Sequence, residues 1–519
     1  MMRRLMYLLL GSLVLSGCSV SRPHFSPEKK YAPEKLQQDF RIYRSLLESH
    51  HPGLYWYQTK DSVQYFFNRA ESMLGDSMTE SQFRQLLNYT TAQINCGHTT
   101  VRSSKAWNKY ADTVRLGKMF PISVKTWNDT VEVTANLNRR DSILVRGALI
   151  TSINKRPIHV ILDSLFRYIS ADGYNLTHKY QTLSNRGFFG SLYTSVYGLS
   201  DQYEIGYVDV RGKQGTTIIK PFSPSPDTAR RRTGGIIRPA TTEPTAREKK
   251  LARMNAARLL KIDTANHSAM MDLSTFAKGY GLRGFFKNSF AALKNNGITH
   301  LIIDVRGNGG GSVTNSTLIS RFIADHPFKI SDSLYALRKG SRYGHYIKNH
   351  FWNQLFITFF TKKRRDGLYH FGYFERHAFH PKKHNHYEGK VYLLTGGNSF
   401  SATTLFASAI KGQSNVLIVG EETGGGAYGN TAWLIPDVTL PETGLRFRLP
   451  LFRLVMDKNR PKDGRGVQPD IESLPTVEAV KKGQDYKLDK VLELIKKDKE
   501  STNFLGGARN FPAGLYPMK

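Results

Sequence analysis

Apolar residues along this chain change period as it proceeds, and the changes mark out its parts. Over residues 34–95 the spacing is helical. Leu36, Phe40, Tyr43 and Leu47 share a face, and an aromatic run with Tyr65, Phe66 and Leu74 follows Asp61. Thr79-Glu-Ser-Gln82 reads as a capping box ahead of Phe83, Leu86, Leu87, Thr90 and Ile94. This predicts a helical head over 34–110, whose last helix runs into the loop Asn95-Cys96-Gly97-His98-Thr99-Thr100. Over 111–222 the period drops to two in FPISVKTW and TVEVTANL. A strand, a turn at Asn154-Lys155 and a short helix follow in RGALITSINKRPIHVILDSL, which predicts a β-rich domain. Residues 223–256 have the Pro/Thr/Arg-rich composition of a linker. From 257 to 480, AMMDLSTF (strand), GYGLRGFFKNSFAALKNNG (helix with a glycine stop), HLIIDV (buried strand) and TLISRFIAD (helix) alternate, as in an α/β core. Residues 326–388 interrupt that core, and 481–519 form a tail.

The N-terminus does not fit a folded domain. Arg3 and Arg4 precede an apolar stretch, Leu5 to Leu15, that is too short to span a bilayer. Leu15-Ser16-Gly17-Cys18 resembles a bacterial lipobox, which implies a signal peptide over 1–17, lipidation of Cys18 and a tether over 18–33. The expected location is the cell envelope, anchored to a bacterial membrane, outer or periplasm-facing. With Cys18 consumed, Cys96 has no partner for an intramolecular disulfide.

Charge adds one more expectation. The 519 residues carry 74 Lys and Arg against 42 Asp and Glu, a net +32. Such a field attracts anionic envelope polymers. The basic residues are scattered and no nucleic-acid motif accompanies them, so no nucleic-acid partner is expected. The insertion 326–388 is basic, aromatic and histidine-rich, with His370, His377, His380, His384 and His386. His377-x-x-His380 has metal-ligand spacing. No matching carboxylate or cysteine pattern accompanies it, and Pro381 and two lysines sit among the histidines, so the reading is a solvent-facing insertion bordering the active-site cleft, with no metal and no cofactor.

The densest chemistry lies in VYLLTGGNSFSATTLFASAIKGQSNVLIVGEETGGGAYGN, residues 391–430. A buried strand, a Gly-Gly-Asn turn, Ser401 and a helix carrying Leu405, Phe406, Ala409 and Ile410 follow one another. This is the layout of an exposed nucleophile, whose negative charge the helix N-terminus stabilises. As an alternative, Ser401 serves only as a helix N-cap. A second glycine cluster stands upstream in LIIDVRGNGGG, residues 301–311.

Together with GRGVQPD at 464–470, these motifs resemble the C-terminal-processing (tail-specific) serine peptidases over roughly residues 34–475. The resemblance implies an α/β core of ClpP/crotonase-like layers with a helical head and a PDZ-like β-rich domain. It also implies a serine endopeptidase acting on peptide or protein substrates. Ser401 matches the nucleophile, and the amides of Ala402 and of Gly310 or Gly311 match the oxyanion hole. The lysine that one branch uses as base is missing, because Gly426 stands in its place and Lys411 lies ten residues along the helix. The tricorn-core-like branch uses a histidine from the head and a carboxylate near the C-terminal Gly-x-Pro-Asp, which map to His98 and Asp463. Asp457, Asp470, Glu421 and Glu422 are rivals for the carboxylate, and Cys96 is an alternative nucleophile. Asp304 and Arg306 are expected to hold the glycine loop. The competing function is a non-catalytic peptide- or ligand-binding lipoprotein on the same scaffold.

Overall fold

The structure is a computed structural model that describes residues 25–114, 117–224 and 244–508, with side chains to residue 500. The signal peptide, Cys18 and most of the 223–256 linker lie outside the described residues. Four helices open the chain: α1 (Pro33–His50), α2 (Lys60–Ser72), α3 (Glu80–Ala92) and α4 (Lys105–Thr113). Thr79 accepts from the Gln82 amide while the Gln82 side chain accepts from Thr79, so the capping box closes as its residue types dictate. The helical stripes bury Leu36, Phe40, Tyr43 and Leu47 against Phe67, Phe83 and Leu87. Past α3 the chain turns at Asn95, in the left-handed region at φ 56°, into the Cys96–Thr99 loop.

The strands β1 (Ile122–Trp127), β2 (Thr130–Asn136), β3 (Leu149–Ile153), β4 (Tyr203–Val208) and β5 (Gln214–Ile219) form an antiparallel sheet in that order. Asn128 and Asp129 both take positive φ between β1 and β2, as a two-residue hairpin with right-handed strand twist requires. The β3–β4 connection carries three helices, α5 (Ile158–Phe166), α6 (Leu176–Ser184) and α7 (Phe188–Tyr197). Its α5–α6 loop leaves this domain and reaches the rest of the protein.

Glu132 of β2 is wholly buried and neither carboxylate oxygen has a hydrogen-bond partner among the described residues. Burial pushes its carboxyl up to about 7, against the pull of Arg146. An unfolded glutamate titrates near ~4.3. Between those values the folded state holds the extra proton, so stability falls as pH rises through this window. Glu132→Gln is therefore expected to raise the melting temperature by about 2–4 °C at pH 8 and to leave it unchanged at pH 4, as read by differential scanning calorimetry.

The core begins with α8 (Ala246–Ala257), so the end of the expected linker is helical, opened by a Thr245/Glu248 capping box. There follow β6 (Arg258–Asp263), β7 (Ser268–Leu273), α9 (Leu282–Asn295), β8 (His300–Asp304), α10 (Val313–Ile323), α11 (His350–Phe360), β9 (Lys390–Thr395), α12 (Ala402–Ile410), β10 (Val416–Gly420), β11 (Ile471–Glu472) and α13 (Tyr486–Ala508). The sheet order is β6-β7-β8-β9-β10-β11, with β6 antiparallel to β7 and every other pair parallel. Alternate residues along each strand serve opposite faces. Leu301, Ile303, Leu393 and Ile418 pack on Phe286, Phe290, Ile319 and Phe406 of the helices. Ile302, Tyr392, Leu394 and Val419 pack on Val491 and Ile495 of α13. The segment expected as a tail thus closes the second face of the sheet.

The insertion 326–388 also departs from expectation. Its strands Ser333–Ala336, Tyr369–His370 and Lys362–Lys363 join Phe452–Val455 and Gly429–Asn430 in a second, antiparallel sheet. Leu334, Ala336, Ile357 and Phe371 enter the same core as the head helices, so this segment is folded rather than simply solvent-facing. Two of its histidines are held by hydrogen bonds: His370 bonds Glu375 and Asp366, and His386 Nε2 donates to the Ala324 carbonyl at 2.9 Å.

Candidate active site

Strand β9 delivers the chain to the turn Gly396-Gly397-Asn398. Ser399 Oγ donates to the Val305 carbonyl at 2.8 Å, and the Phe400 amide donates to the Asn308 carbonyl at 3.1 Å. These bonds tie the turn to the glycine loop that follows β8. Ser401 comes next at φ 58°, ψ −120°. A non-glycine residue there carries strain on the order of 1–3 kcal/mol and needs fixed neighbours to hold it. Ser401 occupies the N-cap place of α12, yet its side chain makes no capping hydrogen bond. The backbone instead presents the hydroxyl over the helix N-terminus, where amide dipoles favour negative charge.

Gly310 packs directly against this corner at φ 95°. A Cβ at Gly310 would lie 2.7 Å from the Phe400 carbonyl oxygen, 2.8 Å from Ser401 Cβ and 2.9 Å from the Ala402 nitrogen. Its own amide already donates to Asn308 Oδ1 at 3.0 Å, which removes it as a ready oxyanion donor. The amides of Ala402 and Gly311 have no acceptor among the described residues. A methyl group at 310 would occupy the space beside the serine. Gly310→Ala is accordingly expected to displace the Ser401 corner and lower kcat by about 10²-fold in a peptide-hydrolysis assay while the circular dichroism spectrum stays that of the parent.

His98 packs against Phe400, the residue before Ser401. It is 4% exposed, its ring lies 4.7 Å from that of Phe400, and neither ring nitrogen makes a hydrogen bond among the described residues. Its Nδ1 faces Asp172 Oδ1 at 3.6 Å. Asp172, in the α5–α6 loop, is 3% exposed. Its Oδ1 accepts from the Gly97 amide at 2.8 Å and its Oδ2 from the Gly426 amide at 3.3 Å. Burial opposes ionisation of Asp172, but His98 and these two amides outweigh it and hold the carboxyl below the usual carboxylate range.

The structure does not bring Asp463 to the histidine. Asp463 is exposed, and its Oδ1 accepts from the Arg465 amide at 2.9 Å. The reason is steric and local. The Asp172 loop lies between the two, with the Gly173 amide donating to the Asn95 carbonyl at 2.9 Å and the Tyr174 amide to the Gly464 carbonyl at 3.0 Å. The rival carboxylates are engaged elsewhere. Glu421 pairs with Lys487, Glu422 with Arg465, and Asp470 with Lys411, while Asp457 Oδ1 accepts from the Asn459 amide. Arg306 holds Asp304 through Nε at 3.0 Å and also reaches Asp485, tying the glycine loop to the start of α13.

No lysine takes the base position. Lys411 Nζ donates to the Gln468 carbonyl at 2.8 Å and to Asp470 at 2.6 Å, at the far end of α12. A Cβ on Gly426 would meet the Gly429 carbonyl oxygen at 2.9 Å, with Asp172 Cβ and the Tyr57 hydroxyl behind it. The carboxylate and the tyrosine therefore fill the room that a longer side chain needs.

Two further residues bear on the site. His178 of α6 donates through Nδ1 to the Gly397 carbonyl at 2.7 Å, and its ring, like that of His98, packs on Phe400, at 5.0 Å. Burial keeps its imidazole below the usual histidine range, so it holds the Ser401 turn as a neutral donor. The Tyr57 hydroxyl is buried without a partner among the described residues, and burial together with Asp172 raises its pKa. The signal for Asp172 and His178 was the unusual length of the stretch between β3 and β4.

Cys96, His98 and Asp172 are the one group among the described residues whose ligating atoms could close on a cation, all within 4.8 Å of one another. Cys96 is a poor ligand in this setting. Burial, helped by Asp172, pushes its thiol pKa up, and its sulfur is engaged by Thr431 at 2.9 Å and Thr99 at 3.3 Å.

Comparison with known proteins bears on the family and the fold. Residues 267–473 match the profile of peptidase family S41. No curated protein matches the chain in sequence. Among solved structures, mature CPAF is 16% identical, with a TM-score of 0.60 over 90% of this chain and 98% of that one. Mature CPAF complexed with lactacystin is 15% identical, with a TM-score of 0.59 over the same shares. The photosystem II D1 C-terminal processing protease is 14% identical, with a TM-score of 0.39 over 87% of this chain and 98% of that one. The CPAF likeness is one of fold, and the β8-to-β11 stretch with Ser401 lies inside the S41 match: this chain carries a peptidase family S41 domain, that of a serine-type peptidase.

Proposed function

We propose that the protein is a lipid-anchored cell-envelope endopeptidase that cleaves peptide bonds through an acyl-enzyme on Ser401. His98 takes the hydroxyl proton as Ser401 attacks the carbonyl carbon, then delivers it to the leaving amine. Asp172 orients His98 and stabilises the imidazolium. The amides of Ala402 and Gly311 receive the oxyanion as the tetrahedral intermediate forms. Water, deprotonated by His98, then hydrolyses the ester and frees Ser401. None of these steps calls on a cofactor. What carries the reading is the conformation of Ser401, held at φ 58° at the head of α12 with Gly310 against it, while the His98–Asp172 pair packs on the neighbouring Phe400 through the His98 ring. The looseness of the pair, 3.6 Å, fits a site that tightens when substrate excludes water.

The anchor rests on the Leu15-Ser16-Gly17-Cys18 sequence. Among the described residues no helix is long and apolar enough to cross a membrane. The five-stranded domain is read as PDZ-like, its β3–β4 helices being additions that serve the active site. A fluorophosphonate probe tests the nucleophile: it should label the parent chain and fail on Ser401→Ala. An unlabelled parent, or equal labelling of both, would refute the assignment. Detergent partitioning of the parent against Cys18→Ala tests the anchor.

A further inference from the structure

Helix α11 is built inside out. Successive residues of a helix advance by ~100°. On that wheel Phe351, Trp352, Leu355 and Phe359 fall within an arc of ~100°, and Ile357 lies opposite. Ile357 is the residue that packs into the core, at 1% exposure. Three of the four face outward, Phe351 being 64%, Trp352 69% and Phe359 76% exposed with Leu355 half-buried among them; Phe360, 57% exposed, lies off the stripe and stacks on Phe356. Water-exposed aromatic surface of this extent on a single helix calls for an occupant.

Charge says which one. Lys348 precedes the helix and Lys362, Lys363 and Arg365 follow it, all exposed and none with an ion-pair partner among the described residues. The nearby carboxylates are spent internally, Asp366 on His370 and Glu375 on His370 and Arg364. An apolar stripe with Trp and Phe between one lysine and a cluster of three cations is the composition of a helix lying in a bilayer interface, its rings among the acyl chains and its cations on anionic headgroups. The net charge of +32 draws the whole chain to such a surface.

We infer that α11 is an interfacial docking element that seats the peptidase on a membrane containing anionic lipids. This surface is separate from Cys18 and from the Ser401 site, and its role holds whether or not either of those assignments does.

The test uses the full chain with Cys18→Ala, so that no acyl anchor can form, and vesicles of phosphatidylcholine with or without phosphatidylglycerol. Co-flotation should favour the phosphatidylglycerol vesicles at least tenfold. It should drop at least tenfold in the variant Phe351→Ser, Trp352→Ser, Phe359→Ser, Phe360→Ser, which shares the N-terminal segment and so controls for it. Brominated acyl chains should quench a component of tryptophan fluorescence that is absent in Trp352→Phe. Lys362→Glu with Lys363→Glu should remove the lipid preference with the aromatic face intact, which guards against misfolding of the fourfold variant. Unchanged flotation of the fourfold variant, or no quenching assigned to Trp352, would overturn the inference. So would loss of protein-substrate cleavage in the fourfold variant with vesicle binding intact, because the face would then dock a protein.

Discussion

Ser401→Ala is expected to reduce kcat for peptide hydrolysis by about 10⁶-fold, leaving only the residual acceleration that binding and the oxyanion site supply. Progress curves on an unfolded protein substrate, run against buffer alone, read this directly. A loss below tenfold would mean that another group attacks the carbonyl. The same position offers a second readout, independent of turnover. The side chain at 401 sits at φ 58°, where glycine is at ease and serine is not. Ser401→Gly should therefore be more stable than the parent by about 1 kcal/mol, and Ser401→Ala should not be, although both are inactive. Chemical denaturation of the three chains separates the strain from the chemistry.

The second large effect concerns the carboxylate. Asp172→Asn should cost about 10⁴-fold in kcat, because the amide would favour the wrong tautomer of His98 and could not stabilise its cation. Asp463→Asn should stay within twofold of the parent, since that side chain is exposed and serves only the Arg465 amide. Equal effects at the two positions would refute the assignment. The pH dependence has a definite sign. The Asp172 carboxyl is held below its unfolded value of ~3.9, so the stability it confers is fully present above that pH. It is lost as pH falls through the lower, folded value. The difference in melting temperature between parent and Asp172→Asn should be widest near neutrality and should close as pH falls below the folded value of the Asp172 carboxyl.

The fate of each sequence expectation follows from the range of the interaction behind it. The strand, turn and helix around Ser401 are local, and the Gly-Gly-Asn turn and apolar runs at 391–410 dictate them. The alternating strands at 122–136 and the capping box at Thr79 are equally local. Asp172 could not be read this way. It stands in a loop, Ser170-Ala-Asp-Gly-Tyr-Asn175, whose composition is that of any turn, and its partners Gly97 and Gly426 are brought to it by packing alone. Asp463 precedes Gly464, and the Asp172 loop bonds both Gly464 and the Asn95 turn ahead of the histidine. The tail and the insertion misled for a related reason. The burial of Val491 and Ile495 depends on the sheet face opposite them, and Leu334 and Phe371 depend on the head helices. Neither surface is adjacent in sequence.

The residues facing one another at the active site come from three parts of the chain that have cores of their own. His98 follows the head helices, Asp172 hangs from the β-rich domain, and Ser401 heads a helix of the parallel sheet. Activity is then a logical conjunction, true only when all three bodies are assembled. In the proposed mechanism, a chain whose head or β-rich domain has come loose carries a hydroxyl with no base or a base with no carboxylate. Such an intermediate cannot digest its neighbours or itself, and the finished enzyme doubles as a report that its own assembly is complete.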